Sequence, residues 1–303
     1  MRIAALLGAL ALAACSAQST PATPDSVVLT QDVPYCTGKV GDQLQVLYLD
    51  IARPKGQSQA LPVSLFVHGG GWAGGSKTDY RHALLALAQQ NRVAVSIDYR
   101  LTPGSKFPAQ LHDLKCAVRW IRENAVLYKM DTRRIVAVGG SAGAHLVALL
   151  GATADHPEFE GEGGHPTQSS RIDAMVLHGG PYDFPNLVKD VTARPNAHTP
   201  AALNSLEMLL GGPIETQRSA YVTASPVTYA SRQTSPALLI HGKKDPIVPF
   251  SESTRFAERL RALGVPVTLM VIDDAGHADF GGKPDAAALK FIEFVRGPDP
   301  VLH

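Results

Sequence analysis

The segment around Ser141 contains the residue types that a nucleophilic serine requires. An apolar run at residues 135–138 leads into Gly139-Gly140-Ser141-Ala142-Gly143, and a helix-forming segment follows at residues 142–150. This strand, tight turn and helix match the G-x-S-x-G nucleophile elbow, which exposes the serine hydroxyl at the top of a sheet. Because GGSAGA lacks the G-x-G-x-x-G spacing of a dinucleotide-binding loop, we favour a nucleophile over a structural glycine-rich turn. Ser141 is therefore the predicted nucleophile.

A second glycine-rich segment could stabilise the negative charge that forms when a serine attacks a carbonyl group. A strand-like apolar run leads directly into the sequence HGGGW at residues 68–72. Glycine has no Cβ, so backbone N–H groups in this segment can point into a cavity, and an oxyanion needs such preorganised donors. We predict an oxyanion hole formed by the N–H groups of Gly70, Gly71 and Ala142. We expect His68 to fix the loop by hydrogen bonding rather than to act as the base.

His277 is the predicted general base. The last predicted strand, residues 267–272, is followed by Asp273-Asp274-Ala275-Gly276-His277. This loop lies at the carboxyl edge of the predicted sheet, which is also the edge where Ser141 is expected. Three other histidines lie inside a predicted helix or close a predicted strand and are expected to be structural: His145, His178 and His241.

Asp245 is the predicted acid that orients the imidazole of His277. It lies in the loop after the penultimate predicted strand and gives the chain order Ser, Asp, His. Asp183 is the alternative, because some hydrolases place their acid after the preceding strand. Asp273 and Asp274 are too close to His277 in the sequence to be first choices.

The elements that must position these residues alternate between strands and helices. Short continuous apolar runs predict strands covered on both faces, and an antiparallel pair precedes them. The predicted strands are residues 27–35, 44–51, 63–67, 93–97, 135–138, 174–177, 237–240 and 267–272. The predicted helices are residues 81–90, 111–125, 142–150, 254–263 and 286–295. The fold class is therefore α/β, with a mostly parallel eight-stranded sheet and helices on both faces.

Two stretches interrupt this alternation. Residues 156–170 are rich in glycine, proline and charge and predict a surface loop. Residues 181–229 separate two predicted strands and contain a helix-like segment at residues 200–210. We interpret this second stretch as a small lid insertion that shapes a substrate pocket. Trp72 and Phe184 either line that pocket or belong to the core.

Five motifs in this chain match a known family in their order along the sequence. They are HGGGW at residues 68–72, DYRL at 98–101 with FPAQLHD at 107–113, GGSAG at 139–143, HGKKDPIVP at 241–249 and DAGH at 274–277. Over about residues 33–295 the chain resembles the α/β-hydrolase esterases with an HGGG oxyanion motif. The resemblance is to the acetyl-xylan and feruloyl esterase-like branch, near the hormone-sensitive-lipase relatives. It implies an α/β-hydrolase fold and the same triad and oxyanion residues assigned above. Many relatives have Gly-Phe after the catalytic histidine, whereas Phe280 stands one residue later here, which leaves its role open.

The predicted function is the hydrolysis of a carboxylic ester through an acyl-enzyme intermediate. The expected substrate is a small or polysaccharide-linked ester. No cofactor or metal is expected, because the sequence has neither an HExxH motif nor paired Cys-x-x-Cys spacing. An amide hydrolase of the arylformamidase type is the alternative, although such relatives typically carry a bulkier residue in place of Gly71. A non-catalytic envelope lipoprotein that keeps only the fold is a further alternative.

Composition and charge exclude several classes of protein. The chain has 303 residues, of which 45% are hydrophobic and 18% charged, so it is neither disordered nor a coiled coil. Lys and Arg number 28 against 27 Asp and Glu, which provides no basic surface for nucleic acid or for acidic lipid. Nucleic acid is therefore not an expected partner.

Residues 1–14 predict a lipoprotein signal peptide. Arg2 supplies a positive charge, residues 3–14 carry no polar side chain, and Leu-Ala-Ala-Cys at residues 12–15 resembles the bacterial lipobox. The apolar run makes roughly 18 Å of helix, well short of the hydrocarbon core of about 30 Å. Cys15 is the predicted lipidation site, residues 15–25 a polar tether and residues 26–303 the hydrolase domain. The expected location is the cell envelope, outside the cytoplasm, and the outer membrane or periplasm in a source with two membranes.

Two more cysteines remain if Cys15 is acylated. Cys36 and Cys116 would then lie in an oxidising compartment, where they could form a disulfide. Alternatively, Cys116 is a small buried apolar residue within its predicted helix. The sequence does not give the Cα separation that a disulfide needs, so both alternatives stay open.

Overall fold

The computed structural model of the protein describes residues 23–277. The predicted signal peptide, Cys15, most of the predicted tether, Phe280 and the predicted helix at residues 286–295 lie outside the described residues. Among the helices of residues 23–277, none combines the length and the apolar character needed to cross a membrane.

An eight-stranded sheet forms the centre of the described domain. In chain order its strands are β1 (Val27–Val40), β2 (Gln43–Pro54), β3 (Leu61–Val67), β4 (Val93–Ile97), β5 (Met130–Gly140), β6 (Ala174–His178), β7 (Ala237–Gly242) and β8 (Val267–Ile272). Their spatial order is β1-β2-β4-β3-β5-β6-β7-β8. Strand β2 pairs antiparallel with β1 and β4, and the other pairs are parallel. The predicted mostly parallel sheet and its leading antiparallel pair are confirmed.

The strand order brings two chemically important loops together. Strand β4 lies on one side of β3, and the chain then crosses over so that β5 lies on the other side. At the carboxyl ends of these parallel strands, Val67 of β3 is paired with Gly139 of β5. The loop after β3 and the turn after β5 therefore meet at a topological switch point, where open α/β sheets bind ligands.

Helices cover both faces of the sheet, as predicted. They are α1 (Arg81–Gln89), α2 (Ala109–Glu123), α3 (Ala125–Tyr128), α4 (Ala142–Ala152), α5 (Phe184–Ala193), α6 (Thr199–Leu210), α7 (Ile214–Thr223), α8 (Pro226–Tyr229) and α9 (Ser251–Ala262). Helix α1 packs its leucines into one apolar cluster with strand residues such as Phe66 and Val138. Helices α2, α4 and α9 contribute to a second, larger cluster. Strands β3, β4, β6 and β7 are therefore buried on both faces over almost all of their length, which explains their mostly apolar sequences, whereas β1 and β8 are partly exposed.

Helix α2 differs from its prediction at its end. Leu111, Leu114, Val118 and Ile121, spaced three or four residues apart on one face of the helix, are fully buried. The helix nevertheless ends at Glu123, and Ala125 begins the separate helix α3. Asn124 stands between the two helices, and its side-chain amide donates to the carbonyl oxygen of Trp120 at 3.0 Å. Asparagine competes with the backbone for such hydrogen bonds, so it favours a helix end at this point.

The predicted insertion at residues 181–229 contains the four helices α5 to α8. Helix α6 corresponds to the helix-like segment seen in the sequence. Several apolar side chains of the insertion belong to the larger core cluster: Leu187, Val191, Leu206, Leu209, Leu210 and Tyr221. The insertion therefore packs as part of the domain beside the carboxyl edge of the sheet.

Cys36 and Cys116 are joined by a disulfide in the structure. Their Cα atoms are 6.3 Å apart, and the bond connects β1 to α2 across a sequence separation of 80 residues. Cys116 is also fully buried. The two descriptions left open by the sequence thus both apply to this residue, since it is buried and paired.

Candidate active site

Ser141 occupies a strained turn between β5 and α4. Its φ is +54°, in the left-handed region that residues other than glycine rarely adopt. The Ser141 N–H donates to the carbonyl of His178 at 2.8 Å, and the Ser141 carbonyl accepts the N–H of His145 at 3.1 Å. Gly143 passes against the end of β3, where a Cβ would lie 2.1 Å from the carbonyl oxygen of Val67. The glycine of the motif is therefore required by the close approach of α4 to the sheet.

Ser141, His277 and Asp245 form a continuous chain of hydrogen bonds. The Ser141 hydroxyl oxygen lies 2.9 Å from Nε2 of His277, and Nδ1 of the same ring lies 2.7 Å from Oδ2 of Asp245. The three residues follow β5, β8 and β7, respectively. The structure thus brings together the three residues that the sequence predicted, at one edge of the parallel sheet.

The Asp245 carboxyl determines where the proton of His277 resides. Burial raises the pKa of Asp245, but hydrogen bonds from His241 and His277 outweigh burial and hold that pKa well below its usual range. A carboxylate can only accept hydrogen bonds, so Nδ1 of His277 carries the ring proton and Nε2 keeps a lone pair. The Ser141 hydroxyl therefore donates to Nε2. In this arrangement His277 can remove the serine proton.

The Asp245 side chain is fully buried and held on both oxygens. Its Oδ1 accepts the N–H groups of Ile247 and Val248, each at 2.9 Å. Its Oδ2 faces His277 and, at 3.1 Å, Nε2 of His241. The orientation of this carboxylate is therefore set by four hydrogen-bond donors.

The loop that carries Asp245 is tied to the loop that carries His277. Asp273 and Asp274, which the sequence analysis set aside as acids, are exposed and form ion pairs with Lys243 and Lys244. The backbone N–H of Lys244 also donates to the carbonyl of Ala275 at 3.0 Å. These contacts connect the segments on which the acid and the base lie.

The HGGGW segment lies against the nucleophile turn. A Cβ on Gly69 would be 3.4 Å from the Cβ of Ser141. Gly70 and Gly71 have φ values of +100° and +59°, which favour glycine. Within residues 23–277, no protein acceptor binds the N–H groups of Gly70, Gly71 or Ala142. These three residues line the same cavity as Ser141, so their N–H groups are available to a ligand there.

His68 stabilises this loop through a hydrogen bond and a ring contact. Its buried ring stacks on Tyr99 with centroids 4.1 Å apart, and its Nδ1–H donates to the carbonyl of Gly69 at 2.8 Å. Burial lowers the pKa of His68, which favours the neutral ring. The Tyr99 hydroxyl in turn donates to the His68 carbonyl at 2.9 Å. His68 is hydrogen-bonded to the loop and not to Ser141.

The alternative acid, Asp183, has a different task. Its carboxylate caps α5 by accepting the backbone N–H of Asn186 at 3.3 Å and the side-chain amide of the same residue at 2.7 Å. His145 is likewise occupied, because Trp72 donates its indole N–H to Nδ1 and the ring donates from Nε2 to the carbonyl of Ala224. Burial lowers the pKa of His145 to about 4. Neither side chain is hydrogen-bonded to His277.

A cavity of about 960 Å³ opens on Ser141. Besides the residues already described, its walls include Trp72, Leu187, Ser205, Leu206, Ile247 and Val248. Trp72 therefore lines the pocket, whereas Phe184 is fully buried and stacks on His145 with centroids 4.6 Å apart. In the part of the chain that the structure describes, no group of three or more His, Cys, Asp or Glu side chains is placed to hold a metal ion.

Glu252 is a buried carboxyl beside the site that the sequence analysis did not single out. Its Oε2 accepts the N–H groups of Tyr182 and Asp183 at 2.6 and 2.8 Å, and it also pairs with Arg255. Burial raises the pKa of Glu252 to about 7. The predicted helix began at residue 254, whereas α9 begins at Ser251. Asp and Glu are enriched in the first turn of helices, so Glu252 itself could have indicated the earlier start.

Comparison with known proteins finds relatives that are named as ester hydrolases. Esterase LipC of Mycobacterium tuberculosis is 34% identical over 233 residues, which are 76% of this chain and 56% of that protein. The probable carboxylic ester hydrolase LipM of the same organism is 33% identical over 230 residues, 75% of this chain and 51% of that protein. The chain thus spans about half the length of these curated relatives.

Solved structures give the same architecture. Thermogutta terrifontis esterase 2, in a structure in which it is phosphonylated by sarin, has a TM-score of 0.70 and 26% identity, covering 91% of this chain and 95% of that chain. A truncated carbohydrate esterase from gut microbiota has a TM-score of 0.77 and 24% identity, covering 91% of this chain and 99% of that chain, and shows the fold alone. The family model BD-FAE matches residues 49–260. The chain therefore has the α/β-hydrolase fold and belongs to the BD-FAE family.

Proposed function

We propose that this protein is a serine hydrolase of carboxylic esters, with Ser141 as nucleophile, His277 as general base and acid, and Asp245 as the orienting carboxylate. The observation that carries the proposal is the unbroken hydrogen-bond chain from the Ser141 hydroxyl through His277 to Asp245. It ends on a hydroxyl that faces a cavity beside three available N–H groups. These are the roles that acyl transfer to a serine requires.

The first half of the reaction acylates the enzyme. Nε2 of His277 takes the proton from Ser141 while the serine oxygen forms a bond to the carbonyl carbon of the ester. The carbonyl oxygen becomes an oxyanion that accepts hydrogen bonds from the N–H groups of Gly70, Gly71 and Ala142. As the tetrahedral intermediate collapses, the bond from carbon to the alcohol oxygen breaks. His277 donates its proton to that oxygen, and the alcohol leaves.

The second half releases the acid. Water donates a proton to Nε2 of His277 as its oxygen attacks the acyl-enzyme, and the same N–H groups bind the second oxyanion. The bond to the Ser141 oxygen then breaks, and His277 returns the proton to the serine. Asp245 stays ionised throughout and stabilises the imidazolium form of His277 in each half.

The names of the relatives support an ester as the substrate. LipC and LipM are named as an esterase and a probable carboxylic ester hydrolase, and the structural neighbour from Thermogutta terrifontis is named as an esterase. We propose a small or polysaccharide-linked ester, whose acyl and alcohol groups would contact the insertion residues Leu187, Ser205 and Leu206. Gly71 leaves the loop without the bulkier side chain of arylformamidase-like relatives, which favours an ester over an amide.

A substrate panel with an active-site label tests this proposal. The purified protein is assayed with p-nitrophenyl esters of increasing acyl length, feruloyl esters, acetylated sugars and a matched anilide. A fluorophosphonate should label the wild-type protein at Ser141 and leave Ser141→Ala unlabelled. Faster hydrolysis of the anilide would favour the amidase. Absence of both hydrolysis and labelling in a folded sample would favour the non-catalytic lipoprotein.

We also propose that the enzyme is held outside the cytoplasm by a lipid on Cys15. The apolar leader that ends at Cys15 supports this proposal, and the disulfide between Cys36 and Cys116 suits an oxidising compartment. Labelled palmitate should enter the wild-type protein and not Cys15→Ser, because the substitution removes the thiol that would carry the lipid. Two or three acyl chains anchor a protein stably, so the labelled protein should be found in the membrane fraction. Recovery of unlabelled wild-type protein from the soluble fraction would contradict the anchor.

A further inference from the structure

His241 lies beside the proposed triad. It lies near the carboxyl end of β7, four residues before Asp245, and its side chain is fully buried. Its Nε2 is 3.1 Å from Oδ2 of Asp245, the same oxygen that lies 2.7 Å from Nδ1 of His277. The sequence predicts a structural histidine here, and the structure places that histidine in contact with the proposed acid.

The surroundings of His241 fix the state of its ring. Its Nε2 lies within 3.1 Å of two atoms, Oδ2 of Asp245 and the carbonyl oxygen of Val248, and both can only accept hydrogen bonds when Asp245 is ionised. Nε2 therefore carries a proton. In a neutral ring Nδ1 is then an acceptor, and the Ser253 hydroxyl on α9 donates to it at 2.7 Å. The Phe250 ring packs perpendicular to the imidazole, with centroids 5.7 Å apart.

We propose that His241 is a positioning residue for catalysis that acts through Asp245. Oδ1 of Asp245 is held by two backbone N–H groups, whereas Oδ2 is held by His241 and His277 alone among the described residues. Without the His241 N–H, the carboxylate can turn about its Cβ–Cγ bond, and a buried lone pair loses its donor. His277 would then lose the fixed partner that orients it and stabilises its charged form. This inference rests on the proposed ester hydrolysis.

Two substitutions of His241 separate the hydrogen bond from the shape of the side chain. In His241→Gln the amide nitrogen stands at the same number of bonds from Cβ as Nε2, so it can still donate to Asp245. In His241→Asn the two polar atoms lie only two bonds from Cβ, at the positions of Nδ1 and Cδ2, so neither reaches the position from which Nε2 donates to Asp245. We expect His241→Asn to lower kcat by about 10- to 100-fold with little change in KM, since small displacements of catalytic groups have effects of this order. We expect His241→Gln to recover most of that loss.

A double-mutant cycle distinguishes action through Asp245 from a general structural role. With a fluorogenic acetate ester, His241→Asn is compared in the wild-type background and in an Asp245→Asn background, with thermal midpoints measured for every variant. If His241 acts through Asp245, its substitution changes kcat by less than about 3-fold once Asp245 is replaced. Equal losses of kcat in both backgrounds would overturn the inference, and so would an unchanged kcat in the wild-type background.

Two further results complete the test. Should His241→Asn fail to fold, Ser253→Ala takes its place in the cycle, with an expected fall in kcat of about 3- to 10-fold in the wild-type background alone. An unchanged kcat for Ser253→Ala would then overturn the inference. A folded wild-type protein that hydrolyses no ester would instead overturn the proposed function, so the two failures are distinguishable.

Discussion

Two buried polar networks in this molecule contain similar charged and hydrogen-bonding groups. They differ in whether a polar group of the network remains available to a ligand. The first is the triad network of Ser141, His277, Asp245 and His241. The second, which we call the α2 clamp, consists of Lys115 and Arg119 on α2 together with Glu160 and Ser170 in the loop at residues 156–170. Both contain fully buried charged side chains, Asp245 in one and Lys115 in the other, and both join segments that are distant in the sequence. Only the triad network ends on a group that faces the cavity.

The charged groups of the α2 clamp bond to one another and to neighbouring protein groups. The fully buried ammonium group of Lys115 donates to the Thr153 carbonyl at 2.7 Å, to Glu160 at 2.8 Å and to Ser170 at 3.3 Å. Arg119 forms a second ion pair with Glu160 at 2.5 Å. Burial lowers the pKa of Lys115. Burial raises the pKa of Glu160, but its bonds to Lys115 and Ser170 outweigh burial and lower that pKa overall. A perturbed pKa therefore occurs in both networks and does not by itself identify the active site.

The difference is whether a polar group remains for a ligand. Every charged group of the α2 clamp bonds to the protein, so the network can only stabilise the fold. The triad network ends on the Ser141 hydroxyl beside N–H groups that no described acceptor binds. Substitutions in the two networks should therefore have different consequences. Those in the triad network should lower the rate of hydrolysis, and those in the α2 clamp should lower the free energy of unfolding.

The largest effect is expected from Ser141→Ala. This change removes the nucleophile and leaves the turn, so kcat for a p-nitrophenyl ester should fall on the order of 10⁶-fold while the thermal midpoint stays the same. Ser58→Ala, on an exposed loop, is the matched control and should keep full activity. A Ser141→Ala protein that retains more than a few per cent of wild-type activity would show that another residue is the nucleophile.

Asp245→Asn should have the next largest effect. The amide favours the wrong tautomer of His277 without changing the shape of the side chain, and kcat should fall by roughly 10⁴-fold. Asp183→Asn is the control, because Asp183 caps α5 and should cost far less activity. Steady-state rates for both variants check the assignment, and the reverse ranking would transfer the role of acid to Asp183.

Loss of the disulfide next to the α2 clamp should affect stability instead of rate. The bond between Cys36 and Cys116 closes a long loop in the unfolded chain, so the double variant Cys36→Ser/Cys116→Ser should lose about 2–4 kcal/mol of unfolding free energy. Urea denaturation measures this loss. The kcat at a temperature where the variant is folded should equal that of the wild type. A parallel fall in kcat would show that the two regions are coupled.

The smallest effect is expected within the α2 clamp itself and depends on pH. Because folding lowers the pKa of Glu160 below its ordinary value of 4.5, its ionised form stabilises the fold above that pH, and this contribution is lost as the pH falls through the folded pKa. Glu160→Gln should therefore be less stable than the wild type by about 1–3 kcal/mol at pH 7, and the difference should shrink below pH 4.5. Glu162→Gln, an exposed neighbour, should show no difference at any pH. A difference for Glu160→Gln that is constant with pH would contradict the ionic role.

The sequence by itself determined the features that depend on short segments. The central strands were recognisable because a strand buried on both faces needs a continuous apolar run, as in Ile135 to Val138. The nucleophile turn was recognisable because its geometry requires small residues on both sides of Ser141. The three proposed triad residues could be grouped without a structure, since the carboxyl ends of parallel strands lie at one edge of the sheet.

Only the tertiary structure decided the contacts between segments far apart in the chain. The pairing of Cys36 with Cys116 depends on the docking of α2 beside β1, and no sequence pattern gives that distance. The contact of His241 with Asp245 depends on how the loop after β7 turns back, and the bonds of Glu252 to the start of the insertion depend on where α9 packs. Such contacts are set by side-chain packing across elements, because a local pattern fixes which residues form an element but not which side chains of two elements meet.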